Sequence, residues 1–276
     1  MKIGIVTDST ADIPAALVIK YKIEVVPALL VIDGKSLIDG EGITREEFYT
    51  RMPSFKVPAT TAAPSAGSFM ERYEKLSNAG AEKILSIHAS SKLSGIFNAA
   101  RLAAESFGER VQVVDSEQLS LGCGFQVLAA AEAISRGAVI EEITRLIKGI
   151  QGRIRLIAVL DTLEYLRRSG RVSWAKARIG GVLNLKPLIE LTHGRVENLG
   201  AVRTTRLANI RLLEMAHEMG TIERLAVLHT NAETRARKFL KEFNPILPEK
   251  PLLLNVTTAI GAHLGPNGVG FAVVRK

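Results

Sequence analysis

A single cysteine, Cys123, rules out any intrachain disulfide and fits a reducing compartment. The five histidines include no His-Glu-x-x-His pair, so the spacing of a dedicated zinc site is missing. Aromatic residues are only 5% of the chain, which leaves few platforms for stacking the bases of a single-stranded nucleic acid. The longest apolar stretch, 23–32, falls far short of the roughly 20 residues that cross a bilayer. No Gly-x-Ser-x-Gly nucleophile elbow is present. Gly34-Lys35-Ser36 looks like the end of a phosphate-binding loop, but the glycine required five positions before Gly34 is Leu29. The glycines of Gly265-Pro266-Asn267-Gly268-Val269-Gly270 have dinucleotide-loop spacing in reverse order and precede a strand-like run instead of a helix. These absences count against a hydrolase, a nucleotide-using enzyme and a zinc enzyme.

The residues that are present suit a globular chain with two cores, since 276 residues of which 47% are hydrophobic exceed what one small core needs. The formal charge is +8, and its basic residues (among them Arg206, Arg211, Arg235 and Lys241) are interleaved with acids along helices. That pattern is a solvated surface and no nucleic-acid arm, although it permits transient contact with an anionic membrane or an acidic protein. Met1 to Val6 enter a strand-like run without a signal-peptide layout, so a cytoplasmic location is expected.

The first half alternates β-rich runs with amphipathic stretches, the mark of parallel α/β construction. Strands are expected over 2–7, 23–32, 83–88 and 111–115. Helices are expected over 14–20, after the capping box Thr44-Arg45-Glu46-Glu47, after Ser65, over 95–107, and in an alanine-rich stretch ending near Gly137. From about Arg155 the texture changes: a strand over 156–160, helical pieces over 163–168 and 174–183, then β-rich runs 187–192 and 195–202 flanking His193-Gly194. Two such runs around a two-residue turn ending in glycine predict a hairpin, so the second half carries a mixed sheet. A helix over 205–219, strand 225–228, helix 232–243, and strands 251–256 and 269–274 complete it. The expected fold is therefore α/β in two domains, a three-layer parallel-sheet domain over 1–152 and a mixed-sheet domain over 153–276.

Hydroxyl residues crowd the loops that follow strands: Thr7-Asp8-Ser9-Thr10, Thr60-Thr61, Ser90-Ser91-Lys92-Leu93-Ser94-Gly95 and Asp115-Ser116. In open α/β sheets such loops gather at one crevice. Ser94-Gly95 also opens a helix, whose free N–H groups favour a nearby anion. Each loop taken alone reads equally as ordinary caps and turns. His263 stands in Ile260-Gly261-Ala262-His263-Leu264-Gly265-Pro266, read as a glycine-rich loop between two strands.

In order along the chain, these segments resemble the DegV family of fatty-acid-binding proteins. The likeness runs through Thr7-Asp8-Ser9-Thr10-Ala11-Asp12-Ile13-Pro14, Pro58-Ala59-Thr60-Thr61-Ala62-Ala63-Pro64-Ser65 and Ser90-Ser91-Lys92-Leu93-Ser94-Gly95. It continues in Asp161-Thr162-Leu163-Glu164-Tyr165-Leu166, Ser169-Gly170-Arg171-Val172-Ser173, Leu185-Lys186-Pro187-Leu188-Ile189 and Ala262-His263-Leu264-Gly265-Pro266. Ala62 and Ala63 replace the family's Ser and Gln, and Leu264 and Asn267 its Thr and Gly.

The resemblance implies that Thr61 and Ser94 hold a fatty-acid carboxylate with His263 nearby, and that the acyl chain occupies an apolar tunnel between the domains. It implies no cofactor and no metal, a bound palmitate, stearate or oleate, and polar loops around Thr7, Asp8, Ser9 and Ser116. In some bacteria such proteins are the lipid-binding, non-catalytic subunit of a fatty-acid kinase, whose ATP-binding partner makes acyl-phosphate for phospholipid synthesis. Arg171 and Arg203 would face that partner. Burying roughly 15 methylenes at about 0.8 kcal/mol each supplies on the order of 12 kcal/mol before association costs, so the tail dominates affinity and the head group needs orientation. Other readings are a lipid-responsive regulatory module and a free-standing small-molecule enzyme.

Overall fold

A computed structural model of the chain describes residues 1–177, 185–243 and 250–276. Two compact units emerge: Met1–Leu29 with Ala62–Gly152, and Leu30–Thr61 with Arg153–Lys276. The contiguous division expected from sequence differs from this by the segment Leu30–Thr61.

In the first unit β1 (Ile3–Asp8) leads through Pro14 into α1 (Ala15–Tyr21) and β2 (Glu24–Val26). The single strand expected over 23–32 is instead two, β2 and β3 (Leu29–Ile32). Pro27 lies between them, has no N–H for a ladder, and interrupts the pairing. The Ala28 N–H that follows is taken by Ser9 Oγ at 3.0 Å. In the segment 30–61, which belongs to the second unit, β3 turns into β4 (Lys35–Ile38) through Asp33 and Gly34, whose φ values of 49° and 76° make the left-handed pair of a tight hairpin. The apparent phosphate-loop fragment is this hairpin turn. α2 (Arg45–Arg51) is capped by Thr44, whose Oγ1 accepts from the Glu47 N–H at 3.1 Å, and β5 (Thr60–Ala62) joins the sheet of order β4-β3-β5. The chain re-enters the first unit at Ala62, where α3 (Ala66–Asn78), capped by Ser65, leads through β6 (Lys83–His88), α4 (Ile96–Ala104), β7 (Val111–Asp115), α5 (Ser120–Ser135) and α6 (Ile140–Gln151).

The main sheet of this unit is parallel, in the order β2-β1-β6-β7. α3 packs with α4, and α5 with α1 and α6, which places helices in separate layers about the sheet. α5 is buried almost all round, and its alanines allow that close packing.

The second unit continues with β8 (Ile154–Val159), α7 (Glu164–Ser169) and α8 (Ser173–Ala177). The helix expected over 174–183 has its latter part, 178–184, outside the described residues. β9 (Lys186–Thr192) and β10 (Arg195–Val202) form the anticipated hairpin, with His193 and Gly194 at φ 48° and 74°. α9 (Thr205–His217), β11 (Ile222–His229), α10 (Glu233–Glu242), β12 (Leu252–Asn255), α11 (Thr258–Leu264) and β13 (Val269–Arg275) follow. The six strands take the order β10-β9-β8-β13-β11-β12, all antiparallel except β11 with β12. The fold is thus α/β with a parallel sheet, a mixed sheet and the small sheet β4-β3-β5. Val227, Leu212 and the ring group Phe239, Phe243 and Phe271 fill the core beneath the mixed sheet.

Candidate functional site

The segment 30–61 is bound into the second unit chiefly through α11. Both Thr257 and Thr258, at the start of that helix, donate their hydroxyls to the buried carboxylate of Asp39. Arg45 donates to the Asn255 carbonyl, and the Tyr49 hydroxyl to the Val256 carbonyl at 3.0 Å. Tyr49, Phe48, Met52, Leu30, Ile32 and Ala262 share one apolar cluster. Gly261 is required there because a Cβ would lie 2.2 Å from the Tyr49 hydroxyl. The expected loop around His263 is therefore a helix: its glycine makes room for a neighbour, and His263 stands in the last turn of α11. Gly265 ends the helix at φ 78°, where a Cβ would strike the Tyr165 ring.

This packing sets His263 beside β5. Thr61 Oγ1 lies 2.9 Å from His263 Nε2, and an Arg171 Nη2–H donates to the same oxygen at 3.4 Å. Arg171 follows Gly170, whose φ of 70° closes α7, and its other terminal nitrogen donates to the Ser169 carbonyl at 3.0 Å. Burial, reinforced by the Arg171 charge, pushes the His263 pKa down to about 3, so the ring is neutral at physiological pH. A hydroxyl oxygen has two lone pairs and one proton. With the proton on His263 Nε2, Thr61 accepts from both His263 and Arg171 and keeps its own O–H for an incoming anion. The cluster can thus offer a hydroxyl donor and a cation without a second fixed charge.

In the first unit the polar loops are organised around Asp8, at the point where the chain switches from β2 to β6 on either side of β1. One Asp8 oxygen accepts from the Thr10 N–H at 3.1 Å and the Thr10 hydroxyl, the other from His88 Nδ1 at 3.0 Å and the Ala89 N–H at 3.2 Å. His88 Nε2 is 2.6 Å from Ser86 Oγ, which lies 2.8 Å from the Tyr73 hydroxyl. Desolvation opposes the Asp8 charge, but the His88, Thr10 and Ala89 donors outweigh it and hold the carboxyl below its usual range. All of this is fully buried and has the order of a catalytic triad without an accessible nucleophile.

Thr7 and Ser116 are buried as well, donating to the Ile87 and Gln118 carbonyls at 2.8 and 3.2 Å. Ser9 and Ser94 are partly exposed. Ser94 Oγ accepts from the Ile96 N–H at 3.3 Å, and its own proton has no acceptor among the described residues. Arg203 is exposed just beyond β10. Asp39, Arg45 and Tyr49, which position α11, and the His88 chain carry no local motif and are not legible from spacing. Among the described residues no three His, Cys, Asp or Glu side chains are grouped as metal ligands, and no helix is long and apolar enough to cross a membrane.

A family model with the description "Uncharacterised protein, DegV family" matches residues 2–276. A DegV domain-containing protein of Staphylococcus aureus is 35% identical over 99% of this chain and 98% of its own length. A Thermus thermophilus structure of a DegV family protein, named for its fatty-acid binding, superposes with a TM-score of 0.93 at 32% identity, covering 100% of both chains. DegV of Bacillus subtilis, named a fatty acid binding protein, superposes at 0.87 with 31% identity, again over 100% of both chains.

Proposed function

Because the chain belongs to the DegV family, we propose that it binds a long-chain fatty acid, with the Thr61 and Ser94 hydroxyls holding the carboxylate and His263 beside it, orienting the Thr61 hydroxyl. The observation that carries this reading is the Thr61–His263–Arg171 cluster, on a scaffold shared with fatty-acid-binding relatives. A desolvated carboxylate is costly unless hydrogen-bonded, and the cluster supplies donors from side chains already fixed by packing. Hydroxyl donors, with the Arg171 guanidinium bonded to Thr61 and not clamped on the ligand, leave the carboxylate oxygen more nucleophilic than a direct arginine clamp would. We further propose that the chain is a non-catalytic carrier that presents this oxygen to a separate ATP-dependent kinase, with Arg171 and Arg203 meeting the partner. Arg171 then has a double position, exposed at the surface and in contact with the Thr61 hydroxyl.

Protein purified from a cell should release a fatty acid of about 16 to 18 carbons on extraction, as expected where methylene burial sets affinity. An organic extract without such a peak, together with no binding of added palmitate or oleate, removes the reading. Ser94→Ala should weaken palmitate binding by about tenfold or more, the cost of one hydrogen bond to a charged group, whereas the exposed Ser135→Ala should change it little. Equal affinities of the two variants would take Ser94 out of the site. The loaded chain with ATP alone should form no hydroxamate-trappable acyl-phosphate, and should support it once a kinase subunit is added; turnover by the chain alone would make it an enzyme.

A further inference from the structure

Arg235 lies in the first turn of α10, partly buried, and makes no hydrogen bond or ion pair among the described residues. Its Nε is shut off from solvent with no acceptor. Burial lowers its pKa, and the charge of Asp161 works in the opposite direction. That carboxylate is already engaged: Lys186 Nζ bonds to it and to the Asp161 carbonyl at 3.0 Å. Two cations therefore share one acid.

The sheet explains why they meet. β8 and β11 run in the same direction on either side of β13, so Asp161, just beyond β8, and the entrance to α10, beyond β11, lie at one edge of the sheet. β9 runs the other way, so Lys186 at its start lies at that edge too, and β10 returns to it with the exposed Arg203. Asp161 also lies within electrostatic reach of Tyr165, whose ring packs where a Gly265 Cβ would be, two residues after His263. The cationic edge thus runs on towards the Thr61–His263 cluster.

Lys186, Arg203 and Arg235 set against Asp161 leave an excess of two positive charges. A partly buried guanidinium without an acceptor is poorly satisfied alone and well suited to an anion with several oxygens. A carboxylate supplies one charge and two oxygens; a phosphoryl group supplies up to two charges and three oxygens. We propose that Arg235 and Lys186 recognise a phosphoryl group at this edge of the second unit. The inference rests on the fatty-acid reading and deepens it, because a group presented for phosphorylation needs a site for the phosphoryl it acquires or receives.

Calorimetric titration of the full chain with hexadecylphosphonate, tripolyphosphate and palmitate tests this. Arg235→Gln should weaken binding of at least one phosphorus-bearing probe by about tenfold, with partial recovery in Arg235→Lys, and leave palmitate affinity within about twofold. Asp161→Asn should act in the opposite direction by freeing both cations. A response confined to hexadecylphosphonate identifies a phosphoryl carried on the acyl chain, and one confined to tripolyphosphate a soluble, nucleotide-like source. A wild-type chain that binds palmitate but neither phosphorus-bearing probe overturns the proposal and leaves the fatty-acid reading standing, as does an Arg235→Gln variant indistinguishable with both. Absent palmitate binding removes the fatty-acid reading alone, and an Arg235-dependent tripolyphosphate response would survive it.

Discussion

Asp8→Ala should lower the unfolding free energy by about 3–5 kcal/mol, a large part of the about 5–15 kcal/mol that holds a typical domain folded. The carboxylate is fully buried and receives hydrogen bonds from Thr10, His88 and Ala89. Its removal leaves two backbone N–H groups, a hydroxyl and an imidazole without an acceptor, in a place water does not reach. The loss also spreads, because His88 is the link from β1 through Ser86 to Tyr73, which closes on the Ala100 carbonyl of α4 at 3.3 Å. Asp8→Asn should be only a partial rescue: one amide oxygen can serve Thr10, but its NH2 then faces the donors of His88 and Ala89. Urea unfolding of the three proteins measures this, and an Asp8→Ala variant within about 1 kcal/mol of wild type would show that the buried chain does not hold the β1 and β6 loops together.

Which parts of the molecule could be read from the sequence follows from the range of the interactions that fix them. β6 and β7 occupy the residues expected, because each is a short apolar run between clear turn signals. The β9–β10 hairpin is likewise local, set by His193 and Gly194. β3, β4 and β5 were not separately legible: the break at Pro27 is subtle, and the small sheet becomes meaningful only where Asp39, Arg45 and Tyr49 engage the chain more than two hundred residues later. The same distance hides α11. Glycine at 261 and 265 reads as loop, yet Gly261 admits Tyr49 and Gly265 ends a helix. Thr61 and His263 are 202 residues apart, and no periodicity joins them; only the ordered likeness to a family brought both into view. Arg235 is visible as one more base among acids, and the lack of a partner for its Nε among the described residues is a property of the folded sheet edge alone.

The neutrality of His263 should appear as a stability that falls with acidification in the ligand-free protein and much less in the loaded one. In the folded chain this ring takes up its proton only at about pH 3, against 6.5 for the ordinary group. Between those values the unfolded chain binds a proton that the folded chain does not. The contribution is therefore complete above 6.5 and lost as pH falls towards about 3, with a slope of up to about 1.4 kcal/mol per pH unit from this group. Asp8 acts in the same direction in a lower window, since its carboxyl is held below 3.8, and His229, lowered by burial, adds to the upper part. His263→Asn isolates the term: its stability should be flatter than wild type from pH 6.5 to about 4, the range above the Asp8 window. A bound carboxylate beside the ring would favour the imidazolium and raise its pKa. Palmitate-loaded wild type should then approach the flatter profile of the variant. Urea denaturation across this range decides both steps: identical slopes for free wild type and His263→Asn would mean that the ring is not held neutral, and identical slopes for free and loaded wild type would place the ligand carboxylate away from His263.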